Sequence, residues 1–151
     1  MDRTIYISIA AITVVFILVV GDVLYIGLWY YIAIPASVYL VCIPFKPQKF
    51  FLSGAGLAIL LAYAPYFIYN IFSHRPEGLL GLGHISSLPG LLIGALLAAI
   101  YLRYHKTNKQ LAFLAGLCAA LGGFLINQFV ICNTLFHCSG LIWPLSTFTF
   151  I

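Results

Sequence analysis

Charged side chains are scarce in this sequence: of 151 residues, seven are Lys or Arg and three are Asp or Glu. Soluble domains carry about 25% charged residues, because their surfaces must stay hydrated. Here charged residues make up 7% of the chain and hydrophobic residues 64%. So few charges cannot cover the wet surface of a globular domain of this size. The composition therefore predicts an integral membrane protein.

The motifs of several membrane enzymes and metal proteins are also missing. The sequence has no H-E-x-x-H or H-x3-H spacing, which would place two histidines on one helix face. It has no C-x-x-C pair, the arrangement used by small quinone-linked thiol oxidases. No ionisable residue lies in the middle of an apolar run, which disfavours an aspartyl enzyme and an ion-coupled pump. We predict no catalytic residue and no cofactor.

Five apolar segments are long enough to cross a bilayer, which takes about 20 residues within a range of roughly 17–25. They are 4–20, 23–43, 50–72, 85–101 and 111–131. At the start of the fourth, Ser86 and Ser87 offer a serine cap that is followed by an early proline, Pro89. The first two segments are separated by the turn-forming pair Gly21-Asp22, so we predict a hairpin there. One long helix over 4–31 would give four spans instead. The prediction is an all-α bundle of about five transmembrane helices in one domain, residues 1–151, with four spans as the alternative.

The basic residues indicate the orientation of this bundle, because Lys and Arg concentrate in short cytoplasmic loops. With five spans and a cytoplasmic N-terminus, six of the seven basic residues lie inside and only Arg75 lies outside. The six are Arg3, Lys46, Lys49, Arg103, Lys106 and Lys109. These basic clusters follow the topology and form no nucleic-acid-binding face. We expect a bacterial inner membrane with a cytoplasmic N-terminus, consistent with the lack of an N-x-S/T motif.

Small residues recur at a spacing of four in the last three segments. Helices in a bilayer associate where small residues let their backbones approach closely. The repeats predict a tight three-helix core, while the first two segments, which lack them, are predicted to lie at its periphery. The glycines expected at the helix crossings are Gly54, Gly90, Gly94 and Gly116. Asn127 and Gln128, the deepest polar pair, are expected to hydrogen-bond between helices.

Most of the remaining reactive side chains fall on the predicted outer side. Three histidines, His74, His84 and His137, lie there with Asp22 and Glu77. Imidazole and carboxylate groups bind zinc and copper, so these five residues are candidate metal ligands. The simpler interpretation is that they are ordinary residues of the membrane interface.

Cys132 and Cys138 follow the fifth segment on the same predicted side. An oxidising compartment would allow them to form a disulfide that closes a small loop. Cys42 and Cys118 lie in or near the apolar segments, where cysteine behaves as a small hydrophobic residue.

These patterns favour a small non-catalytic membrane protein that acts through helix–helix contacts with a partner. An accessory subunit, an assembly factor and a toxin-immunity protein all fit this description. The expected partners are the lipid bilayer and another membrane protein or further copies of this chain, not nucleic acid. Two alternatives remain: a small channel or transporter subunit, and a metal-binding or thiol-redox protein of the outer face.

Overall fold

The computed structural model describes residues 2–22, 24, 26–72 and 79–136, and these fold into five α-helices. The helices are α1 (Asp2–Val20), α2 (Leu28–Cys42), α3 (Phe51–Phe72), α4 (Leu79–Tyr104) and α5 (Lys109–Ile131). A 3-10 turn (Ile43–Phe45) extends α2, and a π-helical turn (Cys132–Phe136) extends α5. The described residues include no β-strand. The predicted all-helical fold with five helices long and apolar enough to span a membrane is therefore confirmed.

The connection between α1 and α2 shows why these are two helices and not one. Gly21 and Gly27 both have φ near 100°, a conformation that other residues rarely adopt. Between them, the Asp22 carboxylate accepts hydrogen bonds from the Gly27 N–H and from the Tyr31 hydroxyl, the latter at 2.8 Å. The turn is thus held by its own side chains, and α1 ends at Val20.

α3 occupies the centre of the bundle. It contacts all four other helices, and 61% of its apolar window is buried, against 17% for α1. Around it, α1 contacts α2, α2 contacts α4, and α4 packs along α5. α1 therefore lies at the periphery, as predicted, but α2 does not: its buried share of 33% equals that of α4 and exceeds the 28% of α5. The closest packing is that of α5 against α3 and α4.

Two glycines mark the crossing of α3 and α5. A Cβ atom added to Gly54 would lie 2.1 Å from the carbonyl oxygen of Phe113. One added to Gly116 would lie 2.3 Å from the carbonyl oxygen of Phe51. Both distances are too short for any side chain, so the two backbones meet directly, as in small-residue packing between membrane helices.

A second pair of contacts joins α4 to α5. A Cβ atom on Gly90 would lie 2.2 Å from the Gly123 carbonyl oxygen, and one on Gly94 would lie 2.1 Å from that of Ala119. Gly122 differs, because a Cβ atom added there meets no atom of the described residues within 4 Å. Of these two neighbouring glycines of α5, Gly123 therefore faces the backbone of α4 and Gly122 faces open space.

Gln48 holds two connections together at one end of the bundle. Its side-chain amide donates to the carbonyl oxygens of Leu102 and His105 at 2.8 and 2.9 Å. Its amide oxygen accepts from the backbone N–H and the hydroxyl of Thr107 at 3.0 and 3.1 Å. The α2–α3 connection and the α4–α5 connection therefore lie side by side.

Asp2 ties the start of α1 to the start of α3 at this same end. Its carboxylate accepts from the Ser53 N–H at 2.9 Å, the Ser53 hydroxyl at 2.6 Å and the Leu52 N–H at 3.3 Å. The first N–H groups of a helix lack partners within it, so Asp2 caps α3 from another helix. We call this the basic end, because the six predicted cytoplasmic residues lie there: Arg3, Lys46, Lys49, Arg103, Lys106 and Lys109.

The start of α4 differs from the prediction. α4 begins at Leu79, almost two turns before the predicted start at residue 85. Ser86 and Ser87 lie inside the helix, where their hydroxyls donate to carbonyl oxygens four residues earlier at 2.8 and 2.9 Å. A serine whose hydroxyl donates to a carbonyl oxygen of its own helix can lie inside that helix and does not need to cap its start. As a result His84 belongs to α4 and not to an outer connection, where the sequence pattern placed it.

Candidate functional site

His84 is 1% exposed and is enclosed by aromatic rings from three other helices. The ring of Tyr63 in α3 stacks on it at a centroid distance of 4.8 Å and an angle of 12°. Tyr66 meets it edge-on at 4.8 Å, and Phe124 of α5 lies at 5.1 Å. Tyr30 of α2 completes the group at 5.8 Å. We call these five residues the aromatic cluster.

One hydrogen bond fixes the histidine within this cluster. The Tyr30 hydroxyl is bonded to Nδ1 of His84. The direction of this bond depends on the histidine tautomer: Tyr30 donates when the imidazole hydrogen is on Nε2, and Nδ1 donates to the phenol oxygen when it is on Nδ1. The backbone of Ala62 lies near the imidazole, but Nε2 makes no hydrogen bond of good geometry with the described residues.

Two tyrosine hydroxyls of the cluster also lack a hydrogen-bond partner among the described residues. They belong to Tyr63 and Tyr66, and both are buried. The Tyr66 hydroxyl lies near the side chain of Gln128 without forming a well-aligned bond. An unpaired buried polar group costs about 1–3 kcal/mol, and most such groups in native proteins have a partner, often an ordered water. The cluster thus has three polar atoms able to bind water or another polar group.

Polar side chains of α5 continue this layer towards α4. The Gln128 amide contacts the Ser87 hydroxyl and donates to Sγ of Cys132 at 3.3 Å. Asn127 donates to the carbonyl oxygen of Ser86 at 2.8 Å. Both amides therefore hydrogen-bond between helices, which is the role expected for them from the sequence.

The candidate metal ligands fall partly outside the described residues. His74, Glu77 and His137 lie there, so the structure describes only Asp22 and His84. The Asp22 carboxylate holds the α1–α2 connection, and Nδ1 of His84 is bonded within the aromatic cluster. In the part of the chain that the structure describes, no three potential metal ligands lie together. A metal site formed by all five residues stays a prediction.

The predicted cysteine pair is described at one position only. Cys132 is buried at the end of α5, whereas Cys138 lies outside the described residues, so their disulfide stays a prediction. Of the other two cysteines, Cys42 is buried in α2 and Cys118 is exposed on α5.

An open groove runs between α4 and α5 on the outside of the bundle, with a volume of about 650 Å³. Small residues form much of its surface, including Gly94, Ala98, Cys118, Ala119 and Gly122. We call it the α4–α5 groove. Its lining is almost entirely apolar, so it has room for a hydrocarbon chain or another helix.

Sequence reasoning did not find the aromatic cluster, because it assigned His84 to a connection and treated the tyrosines as part of the apolar runs. One signal was available. Tyr63 and Tyr66 are three residues apart, which places both on one face of a helix. Aromatic rings with polar tips on one buried face indicate a layer that needs hydrogen-bond partners.

Comparison with known proteins yields no relative: no protein family, curated protein or solved structure matches this chain.

Proposed function

We propose that this chain is an integral membrane protein with five transmembrane helices and a cytoplasmic N-terminus, in a bacterial inner membrane. Two observations support the proposal. The five helices have mean hydropathies between 1.6 and 2.3, and α1 exposes aliphatic side chains such as Ile12, Leu18 and Val19. The basic end gathers six of the seven basic residues, as the cytoplasmic side of a membrane protein does.

Within the membrane, the protein acts by binding an apolar transmembrane helix of another membrane protein. The α4–α5 groove carries this proposal, because small residues line it and Gly122 leaves open space for a second backbone. Close backbone approach at small residues is how helices associate in lipid. A non-catalytic accessory, assembly or immunity protein would use such a groove.

The native thiol of Cys118 offers a direct test, because it is exposed and lines the groove. A membrane-permeable thiol crosslinker in intact cells should join Cys118 to one partner, identified by mass spectrometry. Gly122→Leu should abolish that adduct by filling the groove. Leu125→Phe, at an exposed position of the same helix outside the groove, should leave it unchanged.

Three results would contradict this function. An adduct that survives Gly122→Leu would show that the partner lies elsewhere. An absent adduct in cells that express the natural level of the protein would remove the support for a partner helix. An adduct twice the 16.6 kDa chain mass would show that the groove pairs two copies of this chain.

A second candidate function, a small transporter or channel subunit, is favoured by the aromatic cluster. Ionisable residues inside transmembrane helices often line proton or ion paths, and His84 lies within the fourth candidate span. Liposomes that contain the purified protein and a pH-sensitive dye measure proton flux under an imposed potential. Flux that disappears in His84→Phe would establish this function, and flux no greater than in empty liposomes would reject it.

A further inference from the structure

A second groove, of about 460 Å³, lies at the basic end between the α2–α3 connection and the first turns of α5. Its lining residues are Phe50, Lys109, Gln110, Phe113 and Leu114. The volume lies within the range of about 300–1,000 Å³ that is usual for small-molecule sites. We call it the basic-end groove.

The wall formed by α5 changes from polar to apolar along the helix. Lys109 and Gln110 form its first turn, and Phe113 and Leu114 lie one turn further on. The backbone of this second turn is fixed, because the Phe113 carbonyl packs directly against Gly54 of α3. The groove therefore offers a cationic rim beside a rigid apolar wall, to which Phe50 adds a further aromatic ring.

The charge around the groove is strongly one-sided. The basic end carries six Lys and Arg residues and one described acidic residue, Asp2. The Asp2 carboxylate is directed to the start of α3, where Ser53 and Leu52 donate to it. It is therefore committed to another helix, and the rim of the groove favours a ligand that brings its own negative charge.

We propose that the basic-end groove binds an anionic phospholipid of the cytoplasmic leaflet. The lipid phosphate pairs with the ammonium group of Lys109, and an acyl chain lies against Phe50, Phe113 and Leu114. A phospholipid fits better than a soluble phosphate compound, because most of the lining is apolar. Basic pockets on the cytoplasmic side of membrane proteins bind anionic headgroups in this way. The site depends on the proposed topology but not on the proposed partner helix.

The headgroup contact is tested with the full chain purified in a neutral detergent. Native mass spectrometry should show bound phosphatidylglycerol in preference to phosphatidylcholine with the same acyl chains. Lys109→Gln should weaken phosphatidylglycerol binding about five-fold, since one basic residue contributes about 1 kcal/mol to anionic-lipid attraction. Lys106→Gln removes the same charge from the neighbouring α4–α5 connection, outside the groove, and should weaken binding much less.

The acyl-chain contact is tested with two tryptophan variants. Leu114→Trp fills the groove and should abolish the preference for phosphatidylglycerol, whereas Leu111→Trp, at an exposed position outside the groove, should keep it.

Equal losses of phosphatidylglycerol binding in Lys109→Gln and Lys106→Gln would overturn the proposal, because they would indicate general attraction to the basic end. Displacement of the lipid by millimolar inorganic phosphate would also overturn it in favour of a soluble anion. The purified chain contains no partner protein, so a negative result in the lipid experiment would not bear on the crosslinking result at Cys118.

Discussion

Gly122 and Gly123 are adjacent in α5, yet the same substitution should have opposite effects at the two positions. A Cβ atom on Gly123 would lie 2.2 Å from the carbonyl oxygen of Gly90. On Gly122 it would meet no atom of the described residues within 4 Å. Alanine at both positions therefore separates the effect of the α4–α5 contact from the general effect of alanine in a helix.

The size of the difference follows from the geometry. To accept the methyl group at Gly123, α4 must move away by roughly 1 Å, because non-bonded atoms separate to about 3.5 Å. Overpacking costs about 1–3 kcal/mol, and here the upper part of that range applies because a backbone carbonyl cannot rotate away. Alanine returns about 1 kcal/mol of helix propensity relative to glycine. Gly123→Ala should thus lose about 1–2 kcal/mol, and Gly122→Ala should gain up to about 1 kcal/mol.

Thermal unfolding of both variants in one detergent is the measurement. For a chain of this size, 1 kcal/mol corresponds to about 2–4 °C in Tm. Gly123→Ala should melt about 2–8 °C below the wild type, and Gly122→Ala at or slightly above it. If both variants melt at the same temperature, the helices do not meet at Gly123 and the packing described here is incorrect.

Three further predictions address orientation, the aromatic cluster and the cysteine pair. Alkaline phosphatase fused after Ile151 should be active, and an inactive fusion with an active cytoplasmic reporter at the same place would refute the five-span topology. Tyr30→Phe should cost about 1–3 kcal/mol in detergent melts, because it leaves a buried imidazole nitrogen unpaired. Tyr63→Phe removes a hydroxyl that has no partner among the described residues, so it should be neutral or stabilising, and the reverse order would contradict the hydrogen bond between Tyr30 and His84. Thiol labelling without reductant should modify neither Cys132 nor Cys138, and labelling of both would exclude their disulfide.

The number of helices could be predicted from the sequence because span length is a local property. About 20 consecutive apolar residues are needed for each crossing, and no tertiary contact changes that requirement. The spacing of Gly54, Gly90, Gly94 and Gly116 likewise reports which helix faces admit a second backbone. Both signals depend on residues near one another in the chain.

The rest depends on contacts between distant residues. Asp2 caps a helix that starts about 50 residues later, and Gln48 bonds to carbonyls more than 50 residues away. Nothing in the local sequence of either residue indicates its partner. The start of α4 was placed too late because Ser86 and Ser87 resemble a cap, although in the folded chain they bond to the preceding turn. That error placed His84 outside the helix and concealed the aromatic cluster.

The bonds from Asp2 to α3 have a consequence for biosynthesis. The first helix leaves the ribosome well before the helix that it is bonded to, since Asp2 and Ser53 are 51 residues apart. At a synthesis rate of about 5–20 residues per second, this delay is roughly 3–10 s. During that interval the Asp2 carboxylate has no helix start to cap, and α1 is joined to the chain only through the turn at Asp22. The N-terminal helix is therefore synthesised early but packs against α3 only after the middle of the protein has been made.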